Sequence, residues 1–167
     1  MSCKKSNSGP DDPKASGPFV AKVGDIAFPN ADLDRTIAKY VASTRMLQII
    51  GQPTDQKETI ILNLIPFGKD FTFWKSGTYD FNPVHITNLE YSASTEYSKW
   101  NGTGYEQWVT KWEHVQTGKI VIEAISETHI KGTFSFDAVK NNNNGTFDAS
   151  NVKKITEGAF DLDIVRY

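Results

Sequence analysis

The chain has 167 residues, of which 18 are basic and 20 acidic, and the charges are dispersed around a formal net charge of −2. That balance excludes the basic stripe a nucleic-acid binder needs, and the longest apolar run, Ile60-Ile61-Leu62-Asn63-Leu64-Ile65, is far short of the ~20 residues of a membrane-crossing helix. A body of about 140 residues hides roughly 68–70% of its unfolded surface, so this length sustains a core without disulfides.

In chain order the first feature is Met1-Ser2-Cys3-Lys4-Lys5, which carries the only cysteine. A lone cysteine cannot staple a fold. Its setting is similar to the end of a bacterial lipoprotein signal, in which a small residue, here Ser2, precedes the cysteine that becomes acylated. Cys3 is therefore the expected lipid attachment site. The apolar segment of a signal peptide does not precede it, so this reading takes the sequence as one from which the signal peptide has been removed. A reduced cytosolic thiol is the alternative. From Lys4 to Pro18 the chain is almost wholly Ser, Asn, Gly, Asp, Lys and Pro, too polar to offset its ordering entropy by burial. The expected organisation is a tether over 1–18 and one β-domain over 19–167.

From Phe19 onward, short runs rich in Val, Ile, Thr and aromatics alternate with Gly, Asn, Asp and Pro, the punctuation of strands and turns. Phe19 to Val23 and Ile26 to Phe28 form a tight hairpin if Gly24 or Asp25 takes positive φ. Asn30 to Ser43 has Leu33, Ile37, Tyr40 and Val41 at near-helical spacing behind Asn30 or Asp32 as a cap, which predicts a short helix, although Tyr40 and Ala42 also alternate as in a strand. Arg45 to Ile50 pairs with Glu58 to Ile65. Further strands are expected over Gly77 to Phe81, His85 to Ala93, Gln107 to Val115, Lys119 to Ile125, Ile130 to Val139 and Lys154 to Val165. The predicted fold is an antiparallel β-sandwich of about eight to ten strands, with an up-and-down β-barrel of calycin type as the alternative.

Three segments echo one another: Gly77-Thr78-Tyr79-Asp80-Phe81, Gly132-Thr133-Phe134-Ser135-Phe136-Asp137 and Gly158-Ala159-Phe160-Asp161-Leu162-Asp163. With a side-chain period of two, Tyr79, Phe81, Phe134, Phe136, Phe160 and Leu162 face a core while the Asp and Ser residues face water. A glycine at each strand entry marks a bulge or a close backbone approach.

The segments Gly118-Lys119-Ile120-Val121-Ile122, Ile130 to Ala138 and Val152 to Phe160, together with the opening Cys-Lys-Lys, resemble small uncharacterised lipoproteins of Bacteroidota. That family closes its domain with a Gly-Thr-Phe strand and a final Ile-Thr-x-Gly-x-Phe strand, and it carries no known activity. The resemblance implies secretion and anchoring in the cell envelope as an outer-membrane lipoprotein, on its periplasmic or surface face.

Aromatic residues are densest at Tyr97, Trp100, Tyr105, Trp108 and Trp112. An indole offers a wide apolar face with an N–H handle, so Trp100, Tyr105, Trp108 and Trp112 are the candidate ligand-binding residues for a carbohydrate or peptide. Packing is the competing role, particularly for Trp108 and Trp112, whereas Trp100 adjoins the loop-like Asn101-Gly102-Thr103-Gly104. His85, His114 and His129 lack metal-ligand spacing, and Lys140 stands where a calcium loop over Asn141 to Asp148 needs its first carboxylate. No metal or cofactor is expected. Asp137, Asp161 and Asp163 fall on wet strand faces, where a pair flanking a cleft could serve a hydrolase, but no nucleophile motif accompanies them. The expected function is a membrane-anchored binding or accessory module for carbohydrate, peptide or partner protein, without nucleic acid. A hydrolase and a carrier of a small apolar ligand are the alternatives.

Overall fold

The computed structural model describes residues 18–29, 35–81, 90–111, 113–115 and 117–167. They form an all-β fold of eleven strands: β1 (Phe19–Val23), β2 (Ile26–Ala27), β3 (Ile37–Val41), β4 (Met46–Gly51), β5 (Glu58–Pro66), β6 (Gly77–Asp80), β7 (Tyr91–Trp100), β8 (Tyr105–Val109), β9 (Gly118–Ile125), β10 (His129–Asn141) and β11 (Phe147–Arg166). All belong to one sheet, antiparallel except where β3 runs parallel to the end of β11.

The ladder returns on itself. Strands β3, β4, β5, β7, β8 and β10 pair in succession, and β11 pairs with both β10 and β3, completing a circuit. Two long strands make this possible. The β9-side edge of β10 holds β9 over Ile130 to Phe136 and β8 over Val139 to Asn141. The far edge of β11 holds β1 over Ile155 to Phe160 and β3 over Ile164 to Arg166. The strands that end the sheet are short, two residues in β2 and four in β6, which limits their capacity to template pairing with another chain.

Bulges bend β11 so that it can serve several neighbours. Glu157, at φ 51, sits where the register against both β1 and β10 shifts, and its carboxylate meets Lys22 Nζ at 2.7 Å. A larger offset separates the pair Val139 and Val152 from the pair Lys140 and Asp148. Asp148 braces that excursion by accepting from the Ser150 N–H and hydroxyl at 3.0 and 2.6 Å, which also holds its carboxyl below the usual range.

Inward-facing side chains fill the interior: Leu47 and Ile49, Ile60 with Leu62 and Leu64, Ile120 and Ile122, and a run of rings from Phe19 through Phe134, Phe136 and Phe160. Two of the echoed glycines are seats for those rings. Gly132 lies opposite Phe160, and Phe134 lies opposite Gly158. A Cβ on Gly158 would stand 2.6 Å from three Phe134 ring atoms, and one on Gly132 would stand 2.7 Å from Phe160 Cζ. Each strand thus offers the other one gap and one ring. Gly77, the third member of the echo, meets nothing within 4 Å and has φ +157, so its role is different.

The expected hairpin is present, with Gly24 at φ +62 between β1 and β2. The short helix is not found in the described part of its span, 30–34 lying outside the described residues: Ile37–Val41 is a strand, burying Ala38 and Tyr40 and leaving Ile37, Lys39 and Val41 half-covered. Ile37 and Val41 favour extended backbone, and pairing with β4 settles the competition. Strand β7 extends to Trp100, beyond the expected end at Ala93, and β8 stops at Val109, short of the expected Val115. His85 lies outside the described residues.

Candidate functional site

The four aromatic candidates part company. Trp108 is 3% exposed. Its ring packs against Tyr97 at 5.5 Å, Lys140 and Lys153 approach it at 5.7 and 5.3 Å from its centroid, and its N–H donates to Asn151 Oδ1 at 3.0 Å. The excursion in β11 carries Asn151 to that N–H, so Trp108 has the surroundings of a core residue. Trp112 lies outside the described residues.

Trp100 and Tyr105 are presented together at the other extreme, 38% and 47% exposed. They are register partners at the end of the β7–β8 hairpin, with ring centroids 5.2 Å apart and planes at 64°. Their backbone is fixed on all sides. The Trp100 N–H donates to Lys57 O at 2.7 Å, and the Tyr105 hydroxyl donates to Gln56 O at 2.8 Å, joining the hairpin to the β4–β5 connection. Asn101 Oδ1 accepts from the Thr103 N–H, the Thr103 hydroxyl and the Gly104 N–H, at 3.0, 3.0 and 3.1 Å, which pins the turn between them. Beside this corner Lys99 pairs with Glu58 at 3.0 Å. The Tyr97 hydroxyl donates to the same carboxylate at 3.0 Å, and burial, ahead of the negative charge of Glu58, pushes that phenol up.

Asp137 stands apart from Asp161. Asp161 registers with Lys131 and Asp137 with Lys154, so along β10 the two aspartates are six residues apart, roughly 20 Å at strand rise. Asp161 and Asp163 instead flank His129, whose Nε2 and Nδ1 lie 2.7 and 3.1 Å from their carboxylates, while Lys131 Nζ is 3.6 Å from Asp161. The Asp163 contact, and then Asp161, raise the His129 pKa, so the ring is held toward its protonated form. A ring with both nitrogens engaged by carboxylates is a poor general base. A groove of about 540 Å³ runs beside it, lined by Pro18, Thr36, Ile37 and Val165 among others. Among the described residues no three His, Cys, Asp or Glu are placed to hold a metal ion.

A second aromatic concentration escaped the sequence reading. The segment between β5 and β6 supplies Phe71, Phe73 and Trp74, which meet Tyr79 of β6 and Tyr91 of β7 around a cleft of about 200 Å³. Phe71, Trp74, Tyr79 and Tyr91 touch in edge-to-face succession at 4.8, 5.4 and 5.1 Å. The available signal was Phe67 to Trp74, four aromatics in eight residues with no strand alternation.

The family model for DUF6252, described as a domain of unknown function, matches residues 35–161. That stretch runs from just before β3 to within β11 and contains both aromatic sites. Comparison with curated proteins and with solved structures gives no match.

Proposed function

We propose, on the premise that the chain belongs to the DUF6252 family, that it is a non-catalytic binding module held at the bacterial cell envelope by an acylated Cys3. Its ligand in this reading is a polypeptide partner, engaged by Trp100 and Tyr105. The observation that carries the proposal is the exposure of these two rings as a touching pair on immobilised backbone. Tryptophan and tyrosine dominate binding hot spots because they bring large area at small entropic cost. Presenting them on a pinned turn lowers that cost further. Rings set at 64° form a corner and not a shelf, a shape suited to a single inserted side chain. The polar groups around them are already occupied, Asn101 by its own turn and Glu58 by Lys99 and Tyr97, which leaves little to read sugar hydroxyls. Anchoring is supported by the Ser-Cys-Lys-Lys opening and the polar run to Pro18.

The full chain, displayed against peptide and glycan arrays, should retain peptides bearing an exposed apolar side chain. Trp100→Ala and Tyr105→Ala should each abolish retention, the second with the modest drop in unfolding midpoint that loss of its hydroxyl bond to Gln56 O brings. Retention of glycans alone, or peptide retention unaffected by both substitutions, overturns the reading. Mass spectrometry of the protein from its native host should show acylation at Cys3, and an unmodified thiol in the soluble fraction rejects the anchor.

A further inference from the structure

We propose that the cleft between Phe71, Trp74, Tyr79 and Tyr91 is a binding site for a quaternary ammonium cation. It lies at the opposite end of β5 and β7 from the Trp100 corner, since Tyr91 registers with Pro66 and Lys99 with Glu58. The two sites therefore stand or fall separately.

Most of the cleft's polar groups are engaged within the protein itself. The Trp74 N–H donates to Arg45 O at 3.1 Å, and the Tyr79 hydroxyl donates to Lys75 O at 2.7 Å while accepting from the Lys75 N–H at 3.3 Å. The Tyr91 hydroxyl accepts from the Asp80 N–H at 3.1 Å. What lines the space is ring surface, turned through 62°, 77° and 77° from one ring to the next and including the 3% exposed Trp74, together with Thr72, Lys75 and the exposed carboxylates of Asp70 and Glu90. Ring faces carry negative charge density and attract cations, most strongly those shed cheaply by water, such as alkylated ammonium groups. The carboxylates add Coulomb attraction of the same sign. The complement for an anion is Lys75, the one basic residue of the lining, with the Thr72 and Tyr91 hydroxyls as the remaining side-chain donors. The aromatic cluster already takes cations from within the chain: Arg45 lies 5.8 Å from the centroid of Phe71, itself a cleft ring, and Arg166 lies 5.4 Å from that of Phe73 and 5.2 Å from that of Tyr40. At about 200 Å³ the cleft is below the roughly 300–1,000 Å³ of pockets that enclose drug-sized ligands, which suits one trimethylammonium head and not a larger molecule.

The test titrates the full chain by calorimetry with choline, with its neutral isostere 3,3-dimethylbutanol, and with phosphatidylcholine vesicles. Choline should saturate the signal, and the isostere, equal in shape but uncharged, should bind about 5- to 30-fold more weakly, the range a cation over aromatic faces supports. Asp70→Asn and Glu90→Gln, both on exposed residues, should each weaken choline, and Lys75→Ala should strengthen it. Saturation by free choline and by vesicles alike identifies the headgroup as the recognised element, and saturation by free choline alone identifies a soluble amine. Equal binding of choline and the isostere, an absence of saturation, or indifference to all three charge substitutions overturns the proposal.

Discussion

Gly158→Ala probes the ring-and-gap pairing of β10 with β11. Gly158 lies outside the left-handed region, so the new methyl group strains no backbone dihedral. It does stand 2.6 Å from three atoms of the Phe134 ring. That ring has no easy retreat, with Phe19 at 5.3 Å, Phe136 at 6.2 Å and Phe160 at 6.3 Å between centroids. Overpacking of this kind costs about 1–3 kcal/mol, while losing a glycine from the unfolded chain returns about 0.4–1 kcal/mol. The expected net destabilisation is about 1–2 kcal/mol, or about 2–8 °C in Tm for a chain of this size. A double-mutant cycle in urea isolates the contact. Phe134→Leu should relieve the methyl group, leaving the double variant about 1 kcal/mol or more above the sum of the singles. Gly132→Ala supplies the contrast, because its methyl group would stand 2.2 Å from the Val121 carbonyl oxygen, which no trimming of Phe160 removes. A neutral or stabilising Gly158→Ala, or additivity with Phe134→Leu within about 0.5 kcal/mol, would refute the seat.

Asn151→Leu strands the buried Trp108 N–H that now bonds at 3.0 Å, and should lower stability by about 1–3 kcal/mol in chemical denaturation. Thr95 Oγ1 is buried without a hydrogen-bond partner, so Thr95→Val should be neutral or raise the unfolding midpoint, and a clear loss would show that the hydroxyl is satisfied. His129 has a folded-state pKa raised first by Asp163 and then by Asp161. Its contribution is therefore fully present below the ordinary histidine pKa and fades as pH rises through the raised folded value. His129→Gln should remove that slope from a stability–pH profile, with a small amplitude because all three side chains are exposed and screened.

The strand character of the chain was legible wherever apolar and polar residues alternate. β4 and β5 with their connection, the Gly24 turn, and the inward faces of β10 and β11 follow directly from that period. The failures have local causes. β7 was cut short because Ser94, Glu96 and Ser98 read as loop when only Ala93, Thr95 and Tyr97 carry its buried face, together with Ser98 itself. The start of β11 was missed because Phe147 to Asn151 departs from alternation to make the excursion that delivers Asn151 to Trp108. Of the helix expected over Asn30 to Ser43, the described part is a strand because Ile37 to Val41 fits either period, and a neighbouring strand, invisible to a local window, decides between them. For the sites, exposure of Trp100 was readable from its Asn-Gly-Thr-Gly loop. The cleft was not, since its rings come from β6, β7 and a segment without regular structure that meet only through the fold.

The closed ladder also bears on where ligands can act. A circuit through β3, β4, β5, β7, β8, β10 and β11 pairs these strands to one another and leaves β2 and β6, among the described residues, as the short terminal strands of the sheet. The interior along the described residues is occupied by Leu, Ile and Phe side chains, against the deep cavity an apolar-ligand carrier requires. Recognition is thereby pushed to strand ends, where connections carry side chains that the sheet does not bury. Both aromatic sites lie there, one at each end of β5 and β7. They differ in how far their rings are exposed: at the corner Trp100 and Tyr105 stand 38% and 47% exposed although the Tyr105 hydroxyl is tied to Gln56 O, whereas at the cleft Trp74 is 3% exposed and bonds Arg45 O through its N–H.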